Sequence, residues 1–155
     1  MRILGLFLAA LALLAGVFVA LRFRSAPKPQ ASSSGRYRAG QRWSFRGRPQ
    51  DPAPSLVVGK VETTPEGVVV HVSVFGIHVV NPHSPQGVNT EAPHLPLSAE
   101  ALDASGVELM GTGRVDDAFE RGYSEWAKAK GGVFAIPVAE CLDILEQALR
   151  GAPQT

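Results

Sequence analysis

The sequence has 155 residues, with 15 lysines and arginines, 14 aspartates and glutamates, and a formal net charge of +1. The charges are divided unevenly: residues 1–48 carry nine basic residues and no acidic one, whereas residues 49–155 carry six basic and fourteen acidic residues. This division excludes a uniformly basic nucleic-acid-binding protein. A hydrophobic fraction of 45% excludes a disordered polyelectrolyte.

An apolar run at residues 3–21 dominates the N-terminus, with 19 residues that carry neither charge nor polar side chain. As a helix that rises about 1.5 Å per residue, it would span about 28 Å, close to the roughly 30 Å of a bilayer's hydrocarbon core. We therefore predict a transmembrane anchor in residues 1–24 that contacts the lipid bilayer through residues 3–21. Bulky residues at the −3 position of the nearby cleavage sites favour an uncleaved anchor, with a cleaved signal peptide as the alternative.

Basic residues flank the apolar run unequally. Arg2 precedes it, whereas Arg22, Arg24 and Lys28 follow it closely. The positive-inside rule therefore favours a cytoplasmic C-terminal domain, and the opposite side of the membrane stays open. Small residues recur at spacings of three and four along the run, which would permit a weak homo-oligomer through the anchor.

The remaining chain divides into a tether, a domain and a tail. Residues 25–36 are rich in proline and serine and predict a flexible tether. Residues 37–150 are long enough for one core and predict a single α+β domain, followed by a tail at residues 151–155. Strand signals that precede helix signals favour a mainly antiparallel sheet of about four strands, with three helices packed on one face.

Strand signals occupy the first half of the domain. Strands are predicted over three segments: residues 41–46, where apolar and polar residues alternate, 56–62, and 68–75, which is rich in β-branched residues. In the third segment, valines at even-numbered positions share one face and His71 lies on the other. Gly76 predicts a bulge or bend before residues 77–80. Residues 81–97 contain four prolines and predict a long loop, a feature that is often functional.

Helix signals occupy the second half. Ser98 is a suitable N-cap for a helix that would run to about Met110. A second helix is predicted to begin near Asp116. One face of that helix carries three aromatic side chains: Phe119, Tyr123 and Trp126. A short strand is predicted at residues 133–136, and a last helix at residues 138–150.

The motifs of common catalytic and metal sites are missing from the sequence. The four histidines form no HxH or HxxxH pattern, and Cys141 is the single cysteine. A Gly-x-Ser-x-Gly elbow and a phosphate-binding glycine loop are also missing. Cys141 lies on the apolar side of its predicted helix, where cysteine usually serves in packing. We therefore predict no cofactor, no metal and no catalytic residue, and favour a non-enzymatic domain without excluding an enzyme.

Six residues are candidates for binding a ligand or a partner. The first four would converge where the 81–97 loop covers the sheet, and the last two would form an aromatic patch: Arg48, Asp51, His71, His94, Tyr123 and Trp126. For the aromatic pair, packing onto the sheet is the simpler alternative. Trp43 and Phe45 alternate with polar residues as core-facing strand residues do, so nucleic acid is not a predicted partner.

Four local patterns together resemble a family of small uncharacterised bacterial proteins. The patterns are GQRWSFRGRPQD at residues 40–51, HLPLS at 94–98, FERGYSEW at 119–126 and GVFAI at 132–136. The resemblance covers about residues 36–149 and does not include the anchor. It implies no activity, substrate or catalytic residue. With the anchor, it predicts a single-pass protein of the bacterial inner (cytoplasmic) membrane.

Three functional hypotheses follow. The leading one is a membrane-tethered, non-enzymatic domain that binds a protein partner, with a toxin-neutralising immunity protein as one such class. The second is a small-ligand-binding or enzymatic domain with its site under the 81–97 loop. The third is a membrane scaffold that self-associates through the anchor.

Overall fold

The computed structural model describes residues 35–151. Its strands are β1 (Gln41–Ser44), β2 (Ser55–Thr64), β3 (Gly67–Val80), β4 (Val88–Ser98) and β5 (Glu108–Thr112). Its helices are α1 (Ala99–Ala104), α2 (Asp117–Lys128) and α3 (Val138–Gly151). The strands form one antiparallel sheet in the order β4-β3-β2-β1-β5, so the fold is α+β, as predicted.

The anchor predicted at residues 3–21 and most of the predicted tether lie outside the residues that the structure describes. Among residues 35–151, the structure contains no helix with the length and apolar character needed to cross a membrane.

The β2–β3 hairpin is the centre of the sheet. Its pairing runs from Thr64 opposite Gly67 to Ser55 opposite Phe75. Gly76 has a φ of 67°, and an added Cβ there would lie 1.9 Å from the Ala53 carbonyl oxygen, so the chain needs glycine at this point. The strand continues past Gly76 with a shift in its register to β4, which is the irregularity that the sequence predicted.

The loop predicted at residues 81–97 is present only at residues 81–87, and the rest of the prediction is wrong, because residues 88–98 form β4. This strand lies at one edge of the sheet and uses one side for pairing with β3, so Pro93 and Pro96 can be accommodated. Phe134 adds a single parallel bridge to Leu97 on the outer side of β4. That bridge is all that the structure shows of the strand predicted at residues 133–136.

The helix predicted from Ser98 to about Met110 is also too long. Ser98 is the N-cap, and its Oγ accepts the Ala101 N–H at 3.1 Å, but α1 ends at Ala104. Gly106 then adopts a φ of 64°, and residues 108–112 form β5 beside β1. The starts of α2 at its N-cap Asp116 and of α3 at Val138 agree with the sequence.

The two faces of the sheet are covered by different helices. One face, here called the core face, carries Val70, Val72 and Val74 and packs with buried residues of α1 and α3 in one hydrophobic cluster. The other, here called the histidine face, carries His71, since successive strand residues point to opposite sides. The ring of His71 lies 4.6 Å from that of Trp126 on α2. The prediction that all three helices pack on one face is therefore wrong.

Candidate functional site

The six candidate residues form two separate groups. Arg48 and Asp51 make a buried ion pair near the end of β3, with 2.9 Å between Arg48 Nη2 and Asp51 Oδ1. A second bond joins Arg48 Nε to Asp51 Oδ2 at 3.1 Å. The other four candidates lie between the sheet and α2: His71, His94, Tyr123 and Trp126.

The Arg48–Asp51 pair holds three parts of the chain together. Asp51 Oδ1 accepts the backbone N–H of His78 at 2.9 Å, and Arg48 Nη2 donates to the carbonyl of His78 at 2.8 Å. On α3, Asp143 Oδ1 lies 3.2 Å from Arg48 Nη1, and Glu146 Oε2 lies 3.4 Å from it. Burial alone would raise the pKa of Asp51, but hydrogen bonds from Arg48 and His78 outweigh it and hold that pKa below its ordinary value. The pair therefore stabilises the packing of the β1–β2 loop on β3 and α3.

The two groups do not share a cleft. Asp51 is bonded to His78, which lies seven residues beyond His71 on β3. At about 3.3 Å per strand residue, this separates the two groups by roughly 20 Å. The convergence of Arg48, Asp51, His71 and His94 that the sequence suggested is therefore not present.

A group of side chains joined by hydrogen bonds and ring contacts, here called the histidine cluster, lies where α2 packs on the sheet. Its members are Glu62, His71, His94, Tyr123 and Trp126. His71 Nε2 lies 3.1 Å from Glu62 Oε2, and His71 Nδ1 lies 3.0 Å from His94 Nε2. The Tyr123 hydroxyl donates to Glu62 Oε1, and Lys60 Nζ donates to the Tyr123 oxygen at 2.8 Å. Lys60, Tyr123, Glu62, His71 and His94 thus form a continuous chain of hydrogen bonds.

The carboxylate of Glu62 fixes where the protons lie in this chain. An ionised Glu62 only accepts, so His71 Nε2 carries a proton and the neutral ring accepts at Nδ1. His94 must then donate from Nε2, which leaves its Nδ1 as an acceptor. That Nδ1 is buried and makes no hydrogen bond within residues 35–151. The arrangement therefore suits two neutral histidines, and protonation of both would set two N–H groups against each other.

Burial dominates the titration of the two histidines. It lowers the pKa of His71, an effect that Glu62 opposes. Burial, followed by the charge of His71, lowers the pKa of His94 to about 3. For Glu62, burial would raise the pKa, but hydrogen bonds from Tyr123 and His71 outweigh it and hold the pKa low. Glu62 is therefore the charged member of the cluster at neutral pH.

Tyr123 and Trp126 pack on the sheet. The ring of His71 meets the Tyr123 ring edge-on at 5.0 Å. Trp126 Nε1 donates to the carbonyl of Gly132 at 2.9 Å, so its polar atom has a partner within the chain. Gly122 allows this close packing, because an added Cβ there would lie 2.6 Å from His94 Cβ. These contacts are what a helix docked onto a sheet requires.

The histidine cluster has limited chemical scope. A proton could pass along its hydrogen bonds, but both nitrogens of His71 and both oxygens of Glu62 are engaged within the network. Within residues 35–151, no group of three or more His, Cys, Asp or Glu side chains could hold a metal ion. Burial raises the pKa of the Cys141 thiol far above its ordinary range, which makes it a poor nucleophile.

The most exposed apolar feature of the described chain is the edge strand β5. All five of its residues are exposed, including Leu109 at 57% and Met110 at 58%. One side of β5 pairs with β1, and no strand pairs with its other side among residues 35–151. Met110 has no register partner in β1, because the pairing shifts between Leu109 and Gly111. This strand, here called the β5 edge, offers free backbone groups together with two large apolar side chains.

Sequence reasoning missed Glu62, Lys60 and the β5 edge. The turn between Thr64 and Gly67 sets the hairpin register and could have placed Glu62 opposite Val69, on the face of His71. For the β5 edge, the short apolar pair between Gly106 and Gly111 was the available signal.

Comparison with known proteins adds nothing to this geometry: no family model, no curated protein and no solved structure matches the chain.

Proposed function

We propose that this chain is a membrane-tethered, non-enzymatic domain that binds a protein partner, and that the β5 edge is its binding surface. The observation that carries the proposal is the exposure of a whole edge strand with two large apolar side chains, Leu109 and Met110. Unpaired strand edges readily accept another strand, and natural proteins usually cover or blunt them. Peptide recognition by strand addition uses this kind of surface.

The apolar run at residues 3–21 supports the tethered part of the proposal. A domain held at a bilayer by a short tether meets other membrane-associated proteins at a high effective concentration, so a modest edge contact is enough for binding.

The candidate residues support a non-enzymatic role. Arg48 and Asp51 are engaged in an ion pair, and the histidine cluster is satisfied internally apart from one atom of His94. A catalytic site needs groups within hydrogen-bond reach of a bound substrate. The two groups lie roughly 20 Å apart along β3, so the ligand-binding or enzymatic alternative has no single site that uses all four residues.

Photocrosslinking in native membranes tests the proposal. A photoreactive amino acid replaces Met110 on the β5 edge, and in a matched control it replaces Thr90 on β4, which is also exposed and at the opposite edge of the sheet. We expect a discrete protein adduct from position 110 and none from position 90. Equal adducts from both positions, or none from position 110, would count against the β5 edge as the binding surface.

A further inference from the structure

We infer that the partner segment is an acidic extended strand, which adds to β5 and places carboxylates against Arg46 and Arg114. This inference rests on the proposed function and specifies the chemistry of the partner.

Two arginines, Arg46 and Arg114, flank the β5 edge. Arg42 on β1 is directed away from it, because its Nη2 donates to the hydroxyl of Ser55 on β2 at 3.2 Å. Arg46 Nη2 lies 3.3 Å from the equivalent position at Gly106, just before β5. Arg114 follows β5 by two residues, so positive charge stands beside both ends of the strand.

These arginines are exposed, and their charge is not neutralised within the domain. Among residues 35–151, no carboxylate lies within ion-pair distance of Arg46 or Arg114. Arg48 is the contrasting case, since it is buried and paired with Asp51. Two free guanidinium groups beside an unpaired edge favour an acidic occupant over a basic one.

The charge of the whole domain is slightly acidic. Residues 35–151 carry eleven basic and fourteen acidic residues, so two arginines without acidic partners beside one edge are a local excess of positive charge. Within β5 itself, Glu108 is the only ionisable residue. A neutral or basic strand gains nothing from the arginines, and a basic one is repelled, so the same charges that discourage indiscriminate edge pairing would select an acidic segment.

A bilayer surface fits the β5 edge less well. Arginines and exposed apolar side chains also suit anionic lipid, but insertion of Leu109 and Met110 would carry the free backbone groups of β5 into hydrocarbon, where no partner could satisfy them. An extended peptide satisfies those groups and offers carboxylates at the same time.

A second copy of this chain also fits less well. Pairing of two β5 strands would bring two sets of Arg46 and Arg114 together, against one Glu108 from each copy. The resulting like-charge contacts oppose such a dimer.

Peptide binding to the full-length chain in lipid nanodiscs tests the inference. Three fluorescent ten-residue peptides, alternating valine with glutamate, lysine or glutamine, are titrated and followed by anisotropy. We expect the glutamate peptide to bind at least tenfold more tightly than the lysine peptide, and this preference to shrink at high salt. The double variant Arg46→Gln, Arg114→Gln should lose most of the preference, whereas Arg121→Gln on α2, also an exposed arginine, should retain it.

Blocking the edge separates this inference from the proposed function. Met110→Pro should abolish binding of all three peptides, while Met110→Ala, the matched control for side-chain loss, should weaken it only modestly. Equal affinity for all three peptides, lost in Met110→Pro, would keep the edge as a binding surface but overturn the acidic partner. No binding of any peptide, with no photocrosslink from position 110, would overturn both. If phosphatidylglycerol, in vesicles or in the nanodiscs themselves, displaces the glutamate peptide, the β5 edge binds lipid and the inference of an acidic peptide partner is overturned.

Discussion

The two faces of the sheet reach similar burial by different chemistry. The core face joins Val70, Val72 and Val74 to the apolar sides of α1 and α3. The histidine face joins His71 and His94 to the aromatic side of α2, with Glu62 as the charged partner. Packing on the core face depends on shape and apolar area, whereas packing on the histidine face also depends on where protons lie. The two buried histidines therefore make the histidine face the one that we expect to respond between pH 7.5 and pH 5.

The largest expected effect is a cavity on the core face. Leu142 of α3 is fully buried, so Leu142→Ala should lower the free energy of unfolding by about 2–5 kcal/mol. Urea unfolding of the full-length chain in detergent would measure the change. The loss should be the same at pH 7.5 and pH 6, because the site holds no titratable partner. If the loss of unfolding free energy in Leu142→Ala depended on pH, the two faces would not differ in their response to pH.

The second effect is loss of stability in acid through the histidine face. Because the folded-state pKa of His94 is lowered to about 3, the unfolded chain takes up a proton near pH 6.5 that the folded chain refuses. Stability is therefore fully present above pH 6.5 and falls as the pH drops below it. Between pH 7.5 and pH 5, His94 alone should cost about 2 kcal/mol, and His71, whose pKa is also lowered, should add to this.

Fluorescence can assign this acid effect to one face. The two tryptophans are divided between the faces, with Trp43 in the core cluster and Trp126 beside His71. In a Trp43→Phe variant, Trp126 is the remaining tryptophan. Its emission during unfolding should report a free energy of unfolding that falls as the pH drops below 6.5. A free energy of unfolding that stays constant from pH 7.5 to pH 5 would show that the histidines are not buried in neutral form.

A third prediction concerns the closeness of α2 to the sheet. Gly122→Ala would place a Cβ 2.6 Å from His94 Cβ, so α2 must shift outward, and we expect a loss of about 1–3 kcal/mol. Gly151→Ala is the matched control, since an added Cβ at that position has no neighbour within 4 Å. Equal stability of the two variants would mean that α2 is not docked against His94.

The smallest effect tests the hydrogen bond between Tyr123 and Glu62. Tyr123→Phe removes one donor to the carboxylate and should cost about 1–2 kcal/mol, with a rise in the pKa of Glu62 towards its ordinary value. Glu125→Gln removes only an exposed pair with Lys128 and should change stability by less than about 0.5 kcal/mol. If Tyr123→Phe lowers the free energy of unfolding no more than Glu125→Gln does, the hydrogen bond to Glu62 does not stabilise the histidine face.

Local signals in the sequence predicted the elements that depend only on residues close together in the chain. The β2–β3 hairpin follows from β-branched residues on both sides of a short turn, and α2 follows from the acidic cap at Asp116. They failed for β4, because Pro93 and Pro96 indicate a loop unless the strand is known to lie at an edge. They failed for β5, because a five-residue exposed strand has no core-facing alternation to detect.

The histidine cluster shows a second limit of sequence reasoning. His71 and His94 were both candidates, but their contact depends on β4 pairing with β3, and β4 had been predicted as a loop. The placement of α2 opposite α3 depends on which face each helix covers, and the apolar stripe of a helix does not specify its partner. The pairing of β3 with β4 and the docking of α2 therefore bring these side chains together, and local sequence patterns do not specify either contact.

Amide hydrogen exchange on the β5 edge is the most direct test of the proposed function, because strand addition protects backbone N–H groups that are otherwise free. The full-length chain is compared in native membranes and after purification into detergent, with the exposed residue Thr90 on β4 as internal reference. We predict that amides of Glu108–Thr112 exchange more slowly in native membranes, while those around Thr90 are unchanged. Equally fast exchange of β5 in both states would contradict a partner bound at this edge.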